Sequence, residues 1–154
     1  MKNNIKILDL EHDPYDLFKE WFELAKKNEI NDPNAMNLST VNQNFQPSSR
    51  MVLMKFFDRE GFVFNTNMNS KKSKEIIHSS KVCLNFYWKS IRKQVRIEGF
   101  AEEINKEEAD NLFNKRPEGS KIGAWASDQS NDLLNRADLE KKVKEYQEKF
   151  KNIL

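Results

Sequence analysis

The sequence predicts one mainly β domain of the α+β class over residues 1–154: a small antiparallel β-barrel with flanking helices and a long C-terminal helix. Five or six short strand-like segments follow one another through short turns, which favours hairpins and a closed sheet. The regular strand–helix alternation that a doubly wound parallel sheet needs is absent. Segment 131–154 repeats apolar side chains at spacings of three and four, which predicts the last helix.

The first elements are a helix and a strand. Asp13 followed by Pro14 is typical of a helix start, with Asp as the N-cap and Pro at the first helical position. The apolar stripe behind them predicts a helix to about Lys27. Residues 35–41 alternate apolar and polar side chains, which indicates a half-buried strand after the polar connection 28–34.

A hairpin occupies the centre of the chain. Its first strand has a cation at each end, Arg50 and Lys55, around an apolar middle, and its second strand is the segment 62–64. The turn 58–61 ends in Gly61, where we expect a positive φ.

A short helix is predicted over 70–79, with Ile76 and Ile77 facing inward. It opens with the pair Lys71 and Lys72 and follows a loop rich in amides and hydroxyls. Free backbone N–H groups and the helix dipole attract anions at such a junction. An ordinary hairpin with a solvated basic turn remains the alternative.

Two further strands and two helices complete the pattern. Residues 81–88 are rich in β-branched and aromatic side chains, and residues 94–103 alternate, so both predict strands. Asn105 and Glu108 form a capping-box pair that starts the next helix. A second short helix is predicted over 120–127.

Composition excludes several classes of site. Cys83 is the only cysteine, so an intrachain disulfide and a cysteine-rich zinc site are excluded, and we expect a small buried strand residue there. His12 and His78 are isolated and show no metal-ligand spacing, so no metal is expected. A net charge of +2 does not favour nucleic acid, and no apolar run reaches membrane length. These features predict a soluble cytoplasmic protein.

Hydrolytic motifs such as G-x-S-x-G and H-E-x-x-H are absent, and no catalytic residue is assigned. What remains is a series of cations and amides at predicted strand ends. Such a set suits a phosphorylated, electron-poor ligand, because Arg and Lys bind phosphate and a flavin ring favours positive charge near its N1 edge. Its members are Arg50, Lys55, Lys71, Lys72, Gln94, Arg116 and Gln129-Ser130.

Four ordered motifs carry a resemblance. They read R-x-V-L-x-K, G-x-V-F-x-T-N-x-x-S-x-K, R-x-Q-V-x-I-x-G-x-A-E and R-P-x-x-S-x-I-G-A-W-x-S-x-Q-S, at Arg50–Lys55, Gly61–Lys72, Arg92–Glu102 and Arg116–Ser130. Together with Asp32-Pro33-Asn34-Ala35-Met36, they resemble the pyridoxamine 5'-phosphate oxidase family, a group of FMN-binding split barrels. The match runs over about residues 14 to 150.

The resemblance implies an FMN-binding split β-barrel that forms a homodimer with FMN where the subunits meet. It implies FMN-dependent oxidation of pyridoxamine or pyridoxine 5'-phosphate to pyridoxal 5'-phosphate, with oxygen as acceptor. It places the flavin against Arg50, Met51, Val52, Leu53, Met54, Lys55, Asn65, Thr66, Gln94, Gln129 and Ser130, with Lys71 and Lys72 on its phosphate. It places the substrate phosphate on Lys55, Arg116 and Ser120, and makes Trp125 a packing residue.

The chain departs from the family pattern at several positions. Asn65 and Leu112 each stand where a Tyr is frequent, and Lys71 stands for a frequent Arg. The N-terminal R-x-x-Y segment and the family's C-terminal Trp, Arg and R-x-H are not in this sequence, as expected of a fragment or of a shortened relative. Two alternatives stay open: a split-barrel flavin protein with another or no redox substrate, and a basic barrel that binds nucleic acid or a protein.

Overall fold

The computed structural model describes residues 13–127 and 135–151. The strands in these ranges are β1 (Ala35–Val41), β2 (Pro47–Phe57), β3 (Phe62–Phe64), β4 (Lys81–Trp88) and β5 (Lys93–Phe100). The helices are α1 (Pro14–Asn28), α2 (Lys71–His78), α3 (Lys106–Asn114), α4 (Glu118–Ala126) and α5 (Arg136–Phe150).

The strands form one antiparallel sheet in the order β3-β2-β1-β4-β5. β1 and β4 are neighbours although they are not consecutive, with Leu38 opposite Leu84. In the β2–β3 pair, Met54 lies opposite Phe64 and Phe56 opposite Val63, so the register shifts by a bulge between Met54 and Phe56. The predicted antiparallel α+β fold with flanking helices is confirmed.

The chain divides into two compact units, each built from separate segments. One unit takes the chain up to Ser39 together with Ser49–Asn65 and Cys83–Gly99, and the other takes Thr40–Ser48, Thr66–Val82 and the chain from Phe100. The single domain expected over 1–154 stays a prediction.

Aromatic side chains hold the first unit together. The ring of Phe18 on α1 lies 4.9 to 5.6 Å, between centroids, from the rings of Phe57, Phe62, Phe86 and Trp88. These spacings and tilted geometries are the favourable ones for aromatic pairs, so burial and ring contacts both fix α1 on the sheet. The Asp13 carboxylate caps α1 by accepting from the backbone N–H of Tyr15, as the Asp-Pro start predicts.

The second unit contains a smaller aromatic contact. Trp125 on α4 lies 6.4 Å from Tyr146 and 5.8 Å from Phe150 on α5, so it packs as expected although half of it stays exposed. The Asn105 side chain accepts from the Glu108 backbone N–H and starts α3 as predicted. The last helix begins at Arg136 and ends at Phe150; the remainder of the predicted 131–154 segment lies outside the described residues, apart from Asn135 and Lys151.

The expected positive φ at Gly61 is wrong, since no glycine in the described ranges has one. The Asp58 carboxylate organises this turn by accepting from the backbone N–H groups of Glu60 and Gly61, and the Asp58 N–H donates to the Gly61 carbonyl. An Asx turn therefore replaces the glycine-dependent turn.

Strand β5 is shorter than expected at its C-terminal end. The Ala101 N–H still donates to the Ser80 carbonyl, after which the chain leaves for the Asn105 cap. Cys83 lies on β4 as predicted but is half-buried. Among the described helices, none combines the length and apolarity needed to cross a bilayer. The cytoplasmic location stays a prediction.

Candidate functional site

Three hydroxyls and one ammonium gather at the start of α2 in the second unit. The Thr66 Oγ1 lies 3.3 Å from both the Ser70 Oγ and the Ser73 Oγ, and those two oxygens are 3.1 Å apart. The Lys72 Nζ donates to the Ser70 Oγ at 3.3 Å. We call these four residues the hydroxyl–lysine cluster.

The loop before α2 builds the cluster. The Asn67 carbonyl accepts from the Ser70 N–H at 3.0 Å and from the Ser73 Oγ at 2.8 Å. Its side-chain amide donates to the Ser127 carbonyl at the end of α4. Ser70 is the N-cap residue by backbone geometry, yet its hydroxyl makes no cap bond and turns into the cluster instead. Helix capping, the usual reason for a serine at a helix start, therefore does not explain this hydroxyl.

The inward face of α2 is polar, which corrects the sequence expectation. Ile77 is 73% exposed and Ile76 is only half-buried, whereas Lys72, Ser73 and Glu75 are buried. The first-turn Lys71 is exposed, with its Nζ 3.8 Å from the Glu75 Oε1. Tertiary packing has turned Ile77 outward and left Ile76 half-buried, because the space behind α2 is lined by hydroxyls.

The cluster has the donor set that a phosphate group needs. Lys72 is 6% exposed and supplies a poorly hydrated cation. The Ser70 hydroxyl accepts from Lys72, so its own hydrogen can be donated to a phosphate oxygen, and the Thr66 hydroxyl can rotate to donate as well. The Ser73 hydroxyl donates to the Asn67 carbonyl and supports the loop. Helix α2 starts at the same point, so its first-turn N–H groups add to the donors. The residues therefore fit the phosphate of the flavin nucleotide that the sequence predicts.

Strand β2 in the first unit carries the predicted cations Arg50 and Lys55. The half-buried Arg50 donates from its Nη1 to the Leu38 carbonyl at 3.3 Å. Lys55 is exposed and lies within the bulge that follows Met54. Bulges redirect side chains next to functional sites, so the direction of Lys55 depends on this irregularity.

Asn34 clamps the strand just before the bulge. Its carbonyl accepts from the Met54 N–H at 2.9 Å, and its side-chain amide donates to the Met54 carbonyl at 2.7 Å. The preceding Pro33 carbonyl accepts from the Trp88 indole at 2.7 Å. This short segment therefore acts as an additional pairing partner for the buried Met54.

The remaining predicted flavin contacts of the first unit differ in exposure. Met51 and Leu53 are exposed, while Val52 is half-buried. Asn65 is half-buried directly after β3. Gln94 is exposed on β5 and donates from its Nε2 to the Asn85 Oδ1 at 2.9 Å.

The predicted substrate residues of the second unit lie close in sequence around the start of α4. The half-buried Arg116 guanidinium lies 5.6 Å from the Phe113 ring centroid, and the exposed Ser120 is in the first turn of α4. Gln129 and Ser130 lie outside the described residues. No individual ligand contact is tested, so these assignments stay predictions.

Sequence reasoning missed several residues that organise the site. Ser73 and Glu75 could have been found from their spacing, because they follow Ser70 and Lys71 by three and four positions, one helical turn. Asn34 has no such local signal. Its partner Met54 is twenty positions away, and only the folded sheet brings the two together.

Comparisons with known proteins identify the family of this chain. The family model described as pyridoxamine 5'-phosphate oxidase matches residues 23–150. The pyridoxine/pyridoxamine 5'-phosphate oxidase of Allorhizobium ampelinum is 50% identical over 140 residues, which cover 91% of this chain and 68% of that protein. This chain spans about two thirds of the length of the curated relatives it matches.

Solved structures support the fold. PhzG from Burkholderia lata, in complex with tetrahydrophenazine-1-carboxylic acid, superposes with a TM-score of 0.84 at 28% identity, over 90% of this chain and 68% of that one. A pyridoxamine 5'-phosphate oxidase-related, FMN-binding protein from Nostoc punctiforme gives a TM-score of 0.66 at 14% identity, over 85% of this chain and 73% of that one. The second similarity shows the fold alone.

The antiparallel split-barrel sheet and the family match together place the chain in the class of FMN-binding split-barrel oxidoreductases. Within this class, the family match and the identity to its members place the chain: it belongs to the pyridoxamine 5'-phosphate oxidase family. The expected family, fold, cofactor and enzyme class are therefore confirmed at the level of the family.

Proposed function

We propose that this chain binds FMN and oxidises pyridoxamine or pyridoxine 5'-phosphate to pyridoxal 5'-phosphate, with oxygen as the electron acceptor. The observation that carries the proposal is the hydroxyl–lysine cluster, a buried cation among three hydroxyls at a helix start, in a chain of this family. Bound FMN would supply the hydride acceptor for the substrate carbon that bears the amine or alcohol.

The chain's own residues would bind and orient. Lys72 and the cluster hydroxyls would hold the FMN phosphate, and Lys71 would add a solvated charge. Arg50 and Lys55 would provide positive charge for the electron-rich reduced ring, supported by the clamp on Met54. Arg116 and Ser120 would bind the substrate phosphate, with Arg able to make two parallel hydrogen bonds. Orientation of this kind lowers the barrier without a classical acid–base pair.

The test is an anaerobic visible spectrum of the protein with FMN, recorded before and after pyridoxine 5'-phosphate. We expect the flavin band to bleach and to return when oxygen is admitted. Pyridoxine without its phosphate is the matched control and should bleach the band far more slowly. Bound flavin that stays oxidised with both pyridoxine 5'-phosphate and pyridoxamine 5'-phosphate would refute the substrate assignment.

A second candidate function keeps the flavin and changes the substrate. Its support is the good superposition of this chain on PhzG, whose crystal structure is a complex with tetrahydrophenazine-1-carboxylic acid. In addition, Leu112 offers no hydroxyl at a position where the family resemblance implies a phosphate donor. The same spectra separate the candidates, because bleaching by a reduced phenazine carboxylate but not by B6 phosphates would favour the second.

We also propose that the chain forms a homodimer through the open face of the first unit's sheet, with FMN where the subunits meet. Apolar side chains remain exposed there, including Met51 at 62% and Tyr87 at 64%. Alternating positions of β1 and β2 also place Ser39 and Ser49 on this sheet, with their hydroxyls 3.1 Å apart. A monomer rarely leaves such a patch in water, and a second copy would bury it.

Sedimentation of wild-type protein and of Tyr87→Glu tests the dimer. The variant places a charge on the proposed interface and should shift the population toward monomer. Ile30→Glu is the control, because Ile30 is exposed in the loop after α1 and lies off this sheet face. A monomeric wild-type chain, or equal behaviour of both variants, would contradict the proposed interface.

A further inference from the structure

Helix α2 buries a carboxylate that the proposed function does not use. Glu75 is 5% exposed and faces inward beside Ser73, while the apolar Ile77 points to solvent. A buried carboxylate is costly unless several donors compensate it. The eight-residue helix buries its polar side, so polar contacts rather than hydrophobic burial must hold this face in place.

Two hydrogen-bond donors to Glu75 come from the two arms of one hairpin. Its Oε2 accepts from the Thr40 Oγ1 at 2.5 Å and from the Ser48 Oγ at 2.7 Å. Thr40 lies at the end of β1 and Ser48 at the start of β2, and their hydroxyl oxygens are 3.4 Å apart. One side chain thus joins α2 to two strands that the intervening turn already holds together.

The same side chain lies one helical turn after the first-turn lysines. Its Oε1 is 3.8 Å from the Lys71 Nζ, and Lys72 is three positions before it on the buried face of α2. Because residues three and four apart share a helix face, any rotation or shift of α2 that released Glu75 would also displace Lys72. Lys72 would then lose its place beside the Ser70 hydroxyl.

We propose that Glu75 is a positioning residue: through Thr40 and Ser48 it anchors α2 so that Lys72 and the cluster hydroxyls meet the flavin phosphate. This inference rests on the proposed FMN binding. In this proposal the hydrogen bonds from Thr40 and Ser48 carry the role, and the ion pair with the exposed Lys71 adds little because solvent screens it. Glutamine, whose amide oxygen can accept from both hydroxyls, should therefore replace it.

The binding test compares two flavins that differ by the phosphate. Dissociation constants of FMN and riboflavin are measured at one ionic strength for wild-type protein, Glu75→Ala, Glu75→Gln and Ser48→Ala. We expect Glu75→Ala to weaken FMN about tenfold or more, with riboflavin within about twofold, because only the phosphate contacts depend on α2. Glu75→Gln should stay within about threefold for both ligands, and Ser48→Ala should lie between.

Two controls separate positioning from loss of structure. Ile77→Ala alters an exposed residue of the same helix and should leave both flavins unchanged. In a Lys72→Ala background, Glu75→Ala should have little further effect on FMN, since the two residues act through the same contact. Equal weakening of both flavins in Glu75→Ala, or additive effects of the two substitutions, would overturn the positioning role.

Hydrogen exchange of the flavin-free protein tests the anchor without any ligand. The amides of α2 should exchange faster in Glu75→Ala than in Ile77→Ala, because local opening no longer breaks the hydroxyl bonds. Unchanged exchange would overturn the anchor even if FMN binding fell. A wild-type chain that binds no flavin would instead overturn the proposed function. The hydrogen-exchange rates of α2 would still test whether Glu75 anchors the helix.

Discussion

Replacing Lys72 by alanine should weaken FMN binding more than any other single change in the cluster. Its ammonium is buried beside the Ser70 hydroxyl, so its contact with a phosphate would be a charge-assisted hydrogen bond with little screening. Such a bond contributes about 1.5–3 kcal/mol. The dissociation constant should therefore rise about 10- to 150-fold. Lys71→Ala should cost less than about 1 kcal/mol, because that ammonium is exposed and already near Glu75.

The assay is a titration of flavin-free protein followed by flavin fluorescence, at low and at moderate salt. Riboflavin is the matched ligand, and its affinity should not change in the variant. Lys72→Met is the matched substitution, because it keeps an apolar stem in the buried site and removes only the charge. FMN affinity that is unchanged in both variants, or lost equally with riboflavin, would refute the assignment of Lys72 to the phosphate.

Three further predictions concern other parts of the chain. Arg116→Ala should raise the KM for the B6 phosphate, measured by steady-state kinetics, and leave the flavin-to-protein ratio unchanged. Loss of flavin would mean that Arg116 binds the flavin rather than the substrate. Asn34→Ala removes the hydrogen bond that the side-chain amide donates to the Met54 carbonyl. The free energy of unfolding should fall by about 1 kcal/mol, or by more if that carbonyl stays unsatisfied, and an unchanged midpoint in denaturant melts would contradict this. The hydrogen bond from Arg59 holds the pKa of the Asp13 carboxyl below its ordinary value. This pair therefore stabilises the folded state at pH values above the Asp13 pKa of the unfolded chain, and the stabilisation is lost as the pH falls through the Asp13 pKa of the folded chain. Arg59→Ala should raise the Asp13 pKa in an NMR titration, and an unchanged pKa would exclude the contact.

Local signals in the sequence were enough for most elements. The strand expected at 35–41 is β1 without any change of boundary, and the Asp13-Pro14 start of α1 is confirmed down to its cap bonds. In both cases the determinant lies within a few residues, in an alternating pattern or in a capping side chain. The wrong expectation at Gly61 also has a local cause, because the Asp58 carboxylate closes the turn two and three residues away and this turn does not require a positive φ.

The hydroxyl–lysine cluster was only partly predictable. Thr66 and Lys72 belong to a recognisable motif, and both lie in the cluster. The inward face of α2 was predicted wrongly, since the Ile76–Ile77 pair suggested an apolar contact. The rotation of α2 depends on the side chains that β1 and β2 place against it, and these are Thr40 and Ser48 rather than apolar side chains.

The sequence by itself determined the order of the elements, the family and the presence of basic and hydroxyl side chains at the start of α2, because capping, periodicity and motif spacing act over short distances along the chain. Only the tertiary structure decided that Glu75 meets Thr40 thirty-five positions away, that Asn34 clamps Met54, and that the register shift falls at Lys55. These contacts depend on strand register and helix rotation, which are set by the packing of the whole sheet and leave no periodic trace in the sequence.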